Sequence, residues 1–322
     1  MQTTDFPGAN HITVVGSINM DLIVRVPALP EPGQTVIGHR LVTAAGGKGA
    51  NQAVAARRSG GAVAMVGRVG RDTFGDQLLD GLRREGIDVS GVRRDEAPTG
   101  VALSTVDEKG ENTIALAPGA NRSVSPVDVA LAEGTLKSSK ICLAQLEIPV
   151  EAVLESLSRA RSLGVATLLN VAPAVVVPPE LWHHVTIAIL NEGELDLTVG
   201  RVGKSGEAAL VEQVRALLAL GPEVVIVTRG GDDTLAMVRG QEPIWVAPPR
   251  VRVVDTVGAG DAFVGTFAAT FQGISKSALY SALSFANAAG ALATTKIGAQ
   301  PSLPLRADVE ALLNQASASR AG

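Results

Sequence analysis

Disulfides, membrane spans and a nucleic-acid surface are all missing from this 322-residue chain. Cys142 is its single cysteine, which rules out an internal disulfide and fits a reducing compartment. Its neighbours Ile141 and Leu143 place the thiol in a buried strand, away from the electropositive, partly exposed setting of a nucleophilic cysteine. Six Phe, two Trp and one Tyr are too few for a base-stacking platform. Twenty-eight Lys and Arg stand against 32 Asp and Glu, a formal charge of −4, so no basic field invites nucleic acid or an anionic membrane. No apolar run reaches the ~18 residues of a membrane span. Residues 1–10 lack the basic and apolar regions of a signal peptide. The four histidines (His11, His39, His183, His184) show no zinc-ligand spacing. His183 and His184, next to Trp182 and Pro178-Pro179, read as a surface loop. The expectation is a soluble cytoplasmic protein without nucleic-acid or membrane partners.

What is present is a large apolar fraction, 46%, with 19% charged residues, enough for a substantial core. Short β-rich runs alternate with helical patterns, the mark of a mostly parallel sheet with helices on its faces. Strands are expected at 11–17, 62–68, 140–145, 165–170, 186–190 and 223–228. Helices are expected at 48–58, 73–85, 150–162, 207–220, 261–271, 277–293 and 306–315, with fraying from Ala316 onward. Two segments break the alternation: 22–26 with 35–43, and 101–106 with 112–117, both read as antiparallel hairpins. They form a small accessory sheet that serves either as a flap excluding water from a site or as cover for a sheet edge.

Two glycine-flanked polar segments carry the chemistry. In Asp255–Phe263, Gly258 and Gly260 let the backbone approach a ligand, and Asp261 opens an apolar helix. Free helix N–H groups aimed at an anion, beside a carboxylate, suit phosphoryl transfer to a hydroxyl. An ordinary loop with Asp261 as N-cap fits the segment equally well. Gly46–Gln52 is not a Walker A loop, since no Ser or Thr follows Lys48 as that loop requires. Gly203-Lys204-Ser205 has the right ending, but Thr198 stands where Gly is needed. No strand-linked G-x-G-x-x-G appears, which argues against a nicotinamide enzyme. With Asn19 and Asp21 after the first strand, Gly46–Gln52 gives donors and acceptors suited to a polyol; a plain turn also explains Asn19–Asp21.

These segments, in this order, resemble the ribokinases within the ribokinase-like carbohydrate kinase family. The likeness runs from Val14-Val15-Gly16-Ser17-Ile18-Asn19 to Gly298-Ala299-Gln300-Pro301-Ser302. It includes Asn191-Glu192-Gly193-Glu194, which matches the family's Asn-x-x-Glu element. The resemblance implies an α/β three-layer sandwich with a mostly parallel central sheet and a small β-sheet lid. It further implies one domain over 1–322, with lid strands inserted at about 20–45 and 99–118.

The implied activity is transfer of the ATP γ-phosphate to the 5-hydroxyl of D-ribose. Asp261 is then the base, with the N–H groups of Gly258, Ala259 and Gly260 as the anion hole. Asn19, Asp21, Gly47, Lys48, Gly49, Ala50, Asn51 and Glu147 are implied around the sugar. Asn191 and Glu194 are implied beside the phosphates and Mg²⁺; Thr228, Arg229, Gly230, Gly231, Asp232 and Asp233, with Gly260, along the nucleotide; and Asn287 near its base. A monovalent cation, usually K⁺, is implied on the side chains of Asp255 and Ser302 and on the carbonyls of Val257, Ala293, Lys296 and Gly298. Asp261 is expected to stay ionised at its helix terminus. Arg229 stands where relatives often have an apolar residue, and Lys296 puts a charge beside an implied cation ligand. The resemblance also implies a homodimer through the lid, for which Val24, Val26, Val36 and Ile37 supply an apolar face. A kinase of 2-deoxyribose, a hexose or a nucleoside, and a non-catalytic sugar or nucleotide sensor, are the competing functions.

Overall fold

The computed structural model describes residues 9–109, 111–200 and 206–321; the Gly203-Lys204-Ser205 segment lies outside them. In chain order the elements are β1 (His11–Val15), β2 (Asn19–Arg25), β3 (Arg40–Gly46), α1 (Lys48–Arg58), β4 (Ala62–Gly70), α2 (Thr73–Arg84) and β5 (Asp88–Asp95). Then come β6 (Gly100–Val106), β7 (Asn112–Ala117), α3 (Pro126–Leu131), α4 (Glu133–Lys137), β8 (Ile141–Gln145), α5 (Val150–Ser162) and β9 (Ala166–Asn170). The second half holds β10 (Ile187–Asn191), α6 (Glu192–Val199), α7 (Glu207–Leu220), β11 (Val224–Thr228), β12 (Thr234–Val238) and β13 (Ile244–Val246). Three helices close the chain: α8 (Ala259–Thr270), α9 (Lys276–Ala293) and α10 (Arg306–Ala321).

Nine strands form one sheet in the order β13-β12-β11-β10-β9-β8-β1-β4-β5. Pairing is parallel from β5 through β11, and among the described residues β12 alone runs against the rest, pairing antiparallel with β11 and β13. Alternate residues feed two cores. Ile12, Val14, Ile141 and Leu143 pack with Ala53, Phe267 and Leu283 of α1, α8 and α9. Val15, Cys142 and Ala144 pack with Leu157 of α5 and Leu217 of α7. Period-two alternation across a sheet covered on both sides produces this three-layer arrangement. Burial lifts the Cys142 thiol to about 12, in keeping with an inert thiol. No helix among the described residues is long and apolar enough to cross a membrane.

Chain order reverses between β1 and β8. From β1 the sheet grows outward through β4 and β5, and from β8 the other way through β9, β10 and β11. The ends of β1 and β8 therefore diverge, leaving a crevice where open α/β sheets bind ligands.

Four further strands make the second sheet, ordered β3-β2-β6-β7. Its pairing corrects one expectation. The partner of β2 is Arg40–Gly46 and not 35–43, because β2 pairs along its whole length from Arg25↔Arg40 back to Asn19↔Gly46. The two hairpins are also joined edge to edge, β2 running parallel to β6. The apolar face expected at Val24, Val26, Val36 and Ile37 is different: Val26 is buried, and Val36 and Ile37 belong to no strand. The exposed apolar side chains of this sheet are Leu41, Leu103, Ile114 and Leu116.

Other differences have local causes. β5, with the sequence DVSGVRRD, escapes a hydrophobicity reading because it is a polar edge strand. His183 and His184 end a 3₁₀ turn, Pro179–His184, anchored by the buried Trp182. The last helix continues past Ala316 to Ala321.

Candidate active site

α8 begins two residues earlier than the apolar pattern suggests. Gly258, at φ 81° in the left-handed region, is the N-cap, and Asp261 is the third helical residue. Glycine alone adopts that conformation without strain. The Asp261 side chain is thereby free for contacts outside its own helix. Asn51 and Gln52, consecutive on α1, grip its two oxygens: Asn51 Nδ2 donates to Oδ2 and Gln52 Nε2 to Oδ1, each at 2.9 Å.

Burial pushes the Asp261 carboxyl upward, opposed by the charge of Lys48 and by the hydrogen bonds from Asn51 and Gln52. A helix N-terminus alone thus does not settle its ionisation, as the sequence suggested; these neighbours supply the opposing pull. Asp21, at the start of β2, is raised to about 7 by burial, then by Glu147 and Asp261. Burial also raises Glu194, against the Asn191 N–H and Lys48.

Around this group the crevice holds the residues expected for a polyol. Asn19 and Asp21 follow β1, and Glu147 follows β8. Glu147 Oε2 accepts from Ser17 Oγ at 2.5 Å and from the Lys48 N–H at 3.0 Å, which ties the first turn of α1 to the crevice floor. Asn19 Oδ1 accepts from Asn121 Nδ2 at 2.7 Å. Asn51 Oδ1 is buried with no hydrogen-bond partner among the described residues. Gly49 and Ala50 are packed against the end of β1, the Ala50 N–H donating to the Ser17 carbonyl at 2.9 Å. Gly47 caps α1 at φ 87°.

A cavity of about 220 Å³ lies beside Asp261, walled by Lys48, Asn191, Glu194, Thr256, Gly258 and Gly260. It abuts a second cavity of about 450 Å³, reached past Thr228, Thr256 and Gly260, which line both. Arg229, Gly230, Gly231, Phe263 and Asn287 line the larger one. The Ala259 N–H is engaged by the Thr256 carbonyl at 3.3 Å, so of the three expected N–H groups it is already partnered. Asn191 and Glu194 form a reciprocal capping box at the start of α6, each side chain accepting from the other's N–H at 2.8 Å.

Asn287 reaches the cavity wall, but Thr234 Oγ1 donates to its oxygen and its Nδ2 donates to the Val246 carbonyl. It therefore clamps α9 to the sheet edge. Asp232 and Asp233 are exposed in the β11–β12 turn and outside both cavity walls. Arg229 pairs with Glu192 at 3.1 Å and lies 5.6 Å over the Trp245 ring.

Asp255 Oδ1 accepts from the Val257 N–H and Oδ2 from the Gly298 N–H, joining the loops before α8 and after α9. The Ala293 carbonyl accepts from the Lys296 N–H at 3.4 Å, and Ser302 Oγ donates to the Ala299 carbonyl. The Lys296 side chain is exposed.

Ser17, Asn121, Gln145, Asn170 and Thr256 escaped the sequence reading. Gln145 and Asn170 offered a signal, as polar residues closing apolar strands at the crevice end. Nothing in the sequence links Asn121, more than a hundred positions away, to Asn19.

The model of the pfkB family carbohydrate kinases matches residues 9–306. The chain is 33% identical over 302 residues to a ribokinase of Staphylococcus aureus, covering 93% of this chain and 98% of that protein. It is 35% identical over 306 residues to a ribokinase of Haemophilus influenzae, covering 95% and 99%. The solved structure of Arabidopsis thaliana ribokinase complexed with ribose and ATP superposes with a TM-score of 0.86 at 32% identity, covering 95% of this chain and 99% of that one.

Proposed function

The chain belongs to the pfkB family of carbohydrate kinases, and from that premise we propose that it phosphorylates the 5-hydroxyl of D-ribose with ATP. The observation that carries this reading is the buried Asp261 carboxylate, held by Asn51 and Gln52 at the start of α8, beside the two joined cavities. The similarity to ribokinases over nearly their full length supports ribose as the acceptor.

In this reading the larger cavity takes the nucleoside of ATP and the smaller one its terminal phosphates. Asp21, Asn19 and the unpartnered Asn51 Oδ1 meet the sugar hydroxyls. Asp261 accepts the proton of the attacking hydroxyl as the oxygen bonds to the γ-phosphorus and ADP leaves. The N–H groups at Gly258 and Gly260, with Lys48, face the charge that develops on the phosphoryl oxygens. The second sheet is the lid that keeps water from the acceptor.

Mg²⁺ would enter with ATP. Among the described residues no group of three His, Cys, Asp or Glu side chains could hold a metal, which suits an ion that keeps waters and relies on substrate phosphates. Glu194 and Asn191 would hold it from the cavity wall, where it neutralises phosphate charge. A monovalent cation, K⁺ by preference, would fit the Asp255 junction with Ser302 and the carbonyls of Val257, Ala293, Lys296 and Gly298, bracing the loop before α8. The exposed Lys296 side chain leaves that junction clear.

A homodimer through the lids fits the exposed Ile114 and Leu116. Ala102 pairs with both Asp21 and Leu116, so this apolar surface shares a face with the sugar pocket. A single cysteine suits the cytoplasm.

The test is ADP release over a panel of ribose, 2-deoxyribose, hexoses and adenosine, with and without K⁺. Ribose is expected to give the highest kcat/KM. A preference for adenosine would overturn the choice of acceptor.

A further inference from the structure

Gln52 has both ends of its amide engaged. Its Nε2 donates to Asp261 Oδ1 and to Asn170 Oδ1, both at 2.9 Å, while its Oε1 accepts from Gln145 Nε2 at 2.7 Å. Asn170 cannot reverse either, because its own Nδ2 donates to the Ile189 backbone carbonyl at 3.1 Å. A carbonyl of β10 thus orients Asn170, Asn170 orients Gln52, and Gln145 holds the Gln52 oxygen on the side away from Asp261. The result is an N–H aimed at Asp261. Reversal would set the Gln52 oxygen against a carboxylate oxygen and leave donor facing donor at Gln145.

Gln145 is fully buried at the end of β8, and its Oε1 has no hydrogen-bond partner among the described residues. Burying an unpaired acceptor costs stability. Room for that oxygen comes from Gly16, where a Cβ would lie 2.0 Å from it. A side chain kept at such cost, touching neither cavity, needs a role other than packing.

We propose that Gln145 is a positioning residue for phosphoryl transfer: it locks the Gln52 amide so that a donor faces Asp261 and keeps that carboxylate aligned and charged. The inference rests on Asp261 being the base. Lys48, Asn51 and Gln52 of α1 face Asp261 as donors or positive charge, and Glu147, Asp21 and Glu194 surround it as acids. Each donor lost from this set leaves the acids in command of its protonation.

The experiment compares pH profiles of kcat and kcat/KM for the parent, Gln145→Met, Gln52→Met and Asp261→Asn, with melting temperatures alongside. Methionine keeps the length of Gln145 and removes the donor. The acid limb of kcat/KM is expected to move up by about one pH unit and kcat to fall about tenfold, with sugar KM held within about twofold. A Gln145→Met profile that superimposes on the parent's, whatever its melting temperature, overturns the proposal. If Gln145→Met does not fold, Gln52→Met carries the same expectation and the same refutation. Full activity in Asp261→Asn would instead remove the base assignment, while an inactive Asp261→Asn with a normal Gln145→Met profile refutes only the positioning role.

Discussion

Gly265 of α8 faces Gln52 of α1 so closely that a Cβ on it would stand 2.4 Å from the Gln52 carbonyl oxygen and 2.6 Å from the Ala55 Cβ. The bare α-carbon lets the helices of the two glycine motifs meet, and that meeting brings Asn51 and Gln52 to Asp261.

Gly265→Ala is expected to separate the helices and destabilise the protein by about 1–3 kcal/mol, the usual cost of overpacking. Urea unfolding reads the stability, and ribose kinase activity should fall with it. An unchanged midpoint would mean that α1 and α8 have slack the structure does not display.

Asp261→Asn keeps the shape of the side chain and removes the proposed base. We expect kcat to drop by about 10²-fold or more, the usual worth of general base catalysis, with nucleotide affinity by calorimetry little altered. Turnover at the parent rate would refute the role of Asp261.

Asp21 carries a cost that depends on pH. Its value is raised from 3.8 to about 7, so the folded protein holds the proton more tightly than the unfolded chain. The stability this brings is complete below 3.8 and is lost as pH rises through about 7. Asp21→Asn should therefore raise the melting temperature more at pH 8 than at pH 4.5, while weakening sugar binding at both. Equal shifts at the two pH values would contradict the assignment.

Arg229 lines the larger cavity, the proposed nucleotide site, and is held there by Glu192 and the Trp245 ring. Cation–π contacts at partly exposed sites contribute about 0.5–1 kcal/mol, so Arg229→Ala should raise KM for ATP by roughly two- to fivefold with kcat nearly constant. A fall in kcat alone would place Arg229 nearer the reacting phosphate than the geometry does.

Asp255 joins two loops through the Val257 and Gly298 N–H groups. Asp255→Ala is expected to reduce kcat and to abolish its response to K⁺. A K⁺ titration matching the parent's would move the cation elsewhere.

Residue pattern alone determined much of this protein. Near-continuous apolar runs such as Ile141–Gln145 specify parallel strands buried on both faces, and the helix bounds Lys48–Arg58, Val150–Ser162 and Glu207–Leu220 were legible from 3.6-residue patterning. The glycine motifs likewise singled out Asp261, either as the base of a phosphoryl transfer or as a plain N-cap. Tertiary structure decided what periodicity cannot encode. It paired β2 with Arg40–Gly46, and it turned Asn287 into a clamp whose polar ends are engaged within the protein. It also assembled Gln145, Gln52 and Asn170 around one carboxylate. Hydrogen bonds between side chains 118 and 209 positions apart leave no periodic trace in a single chain, since their geometry exists only once the sheet and its helices have packed.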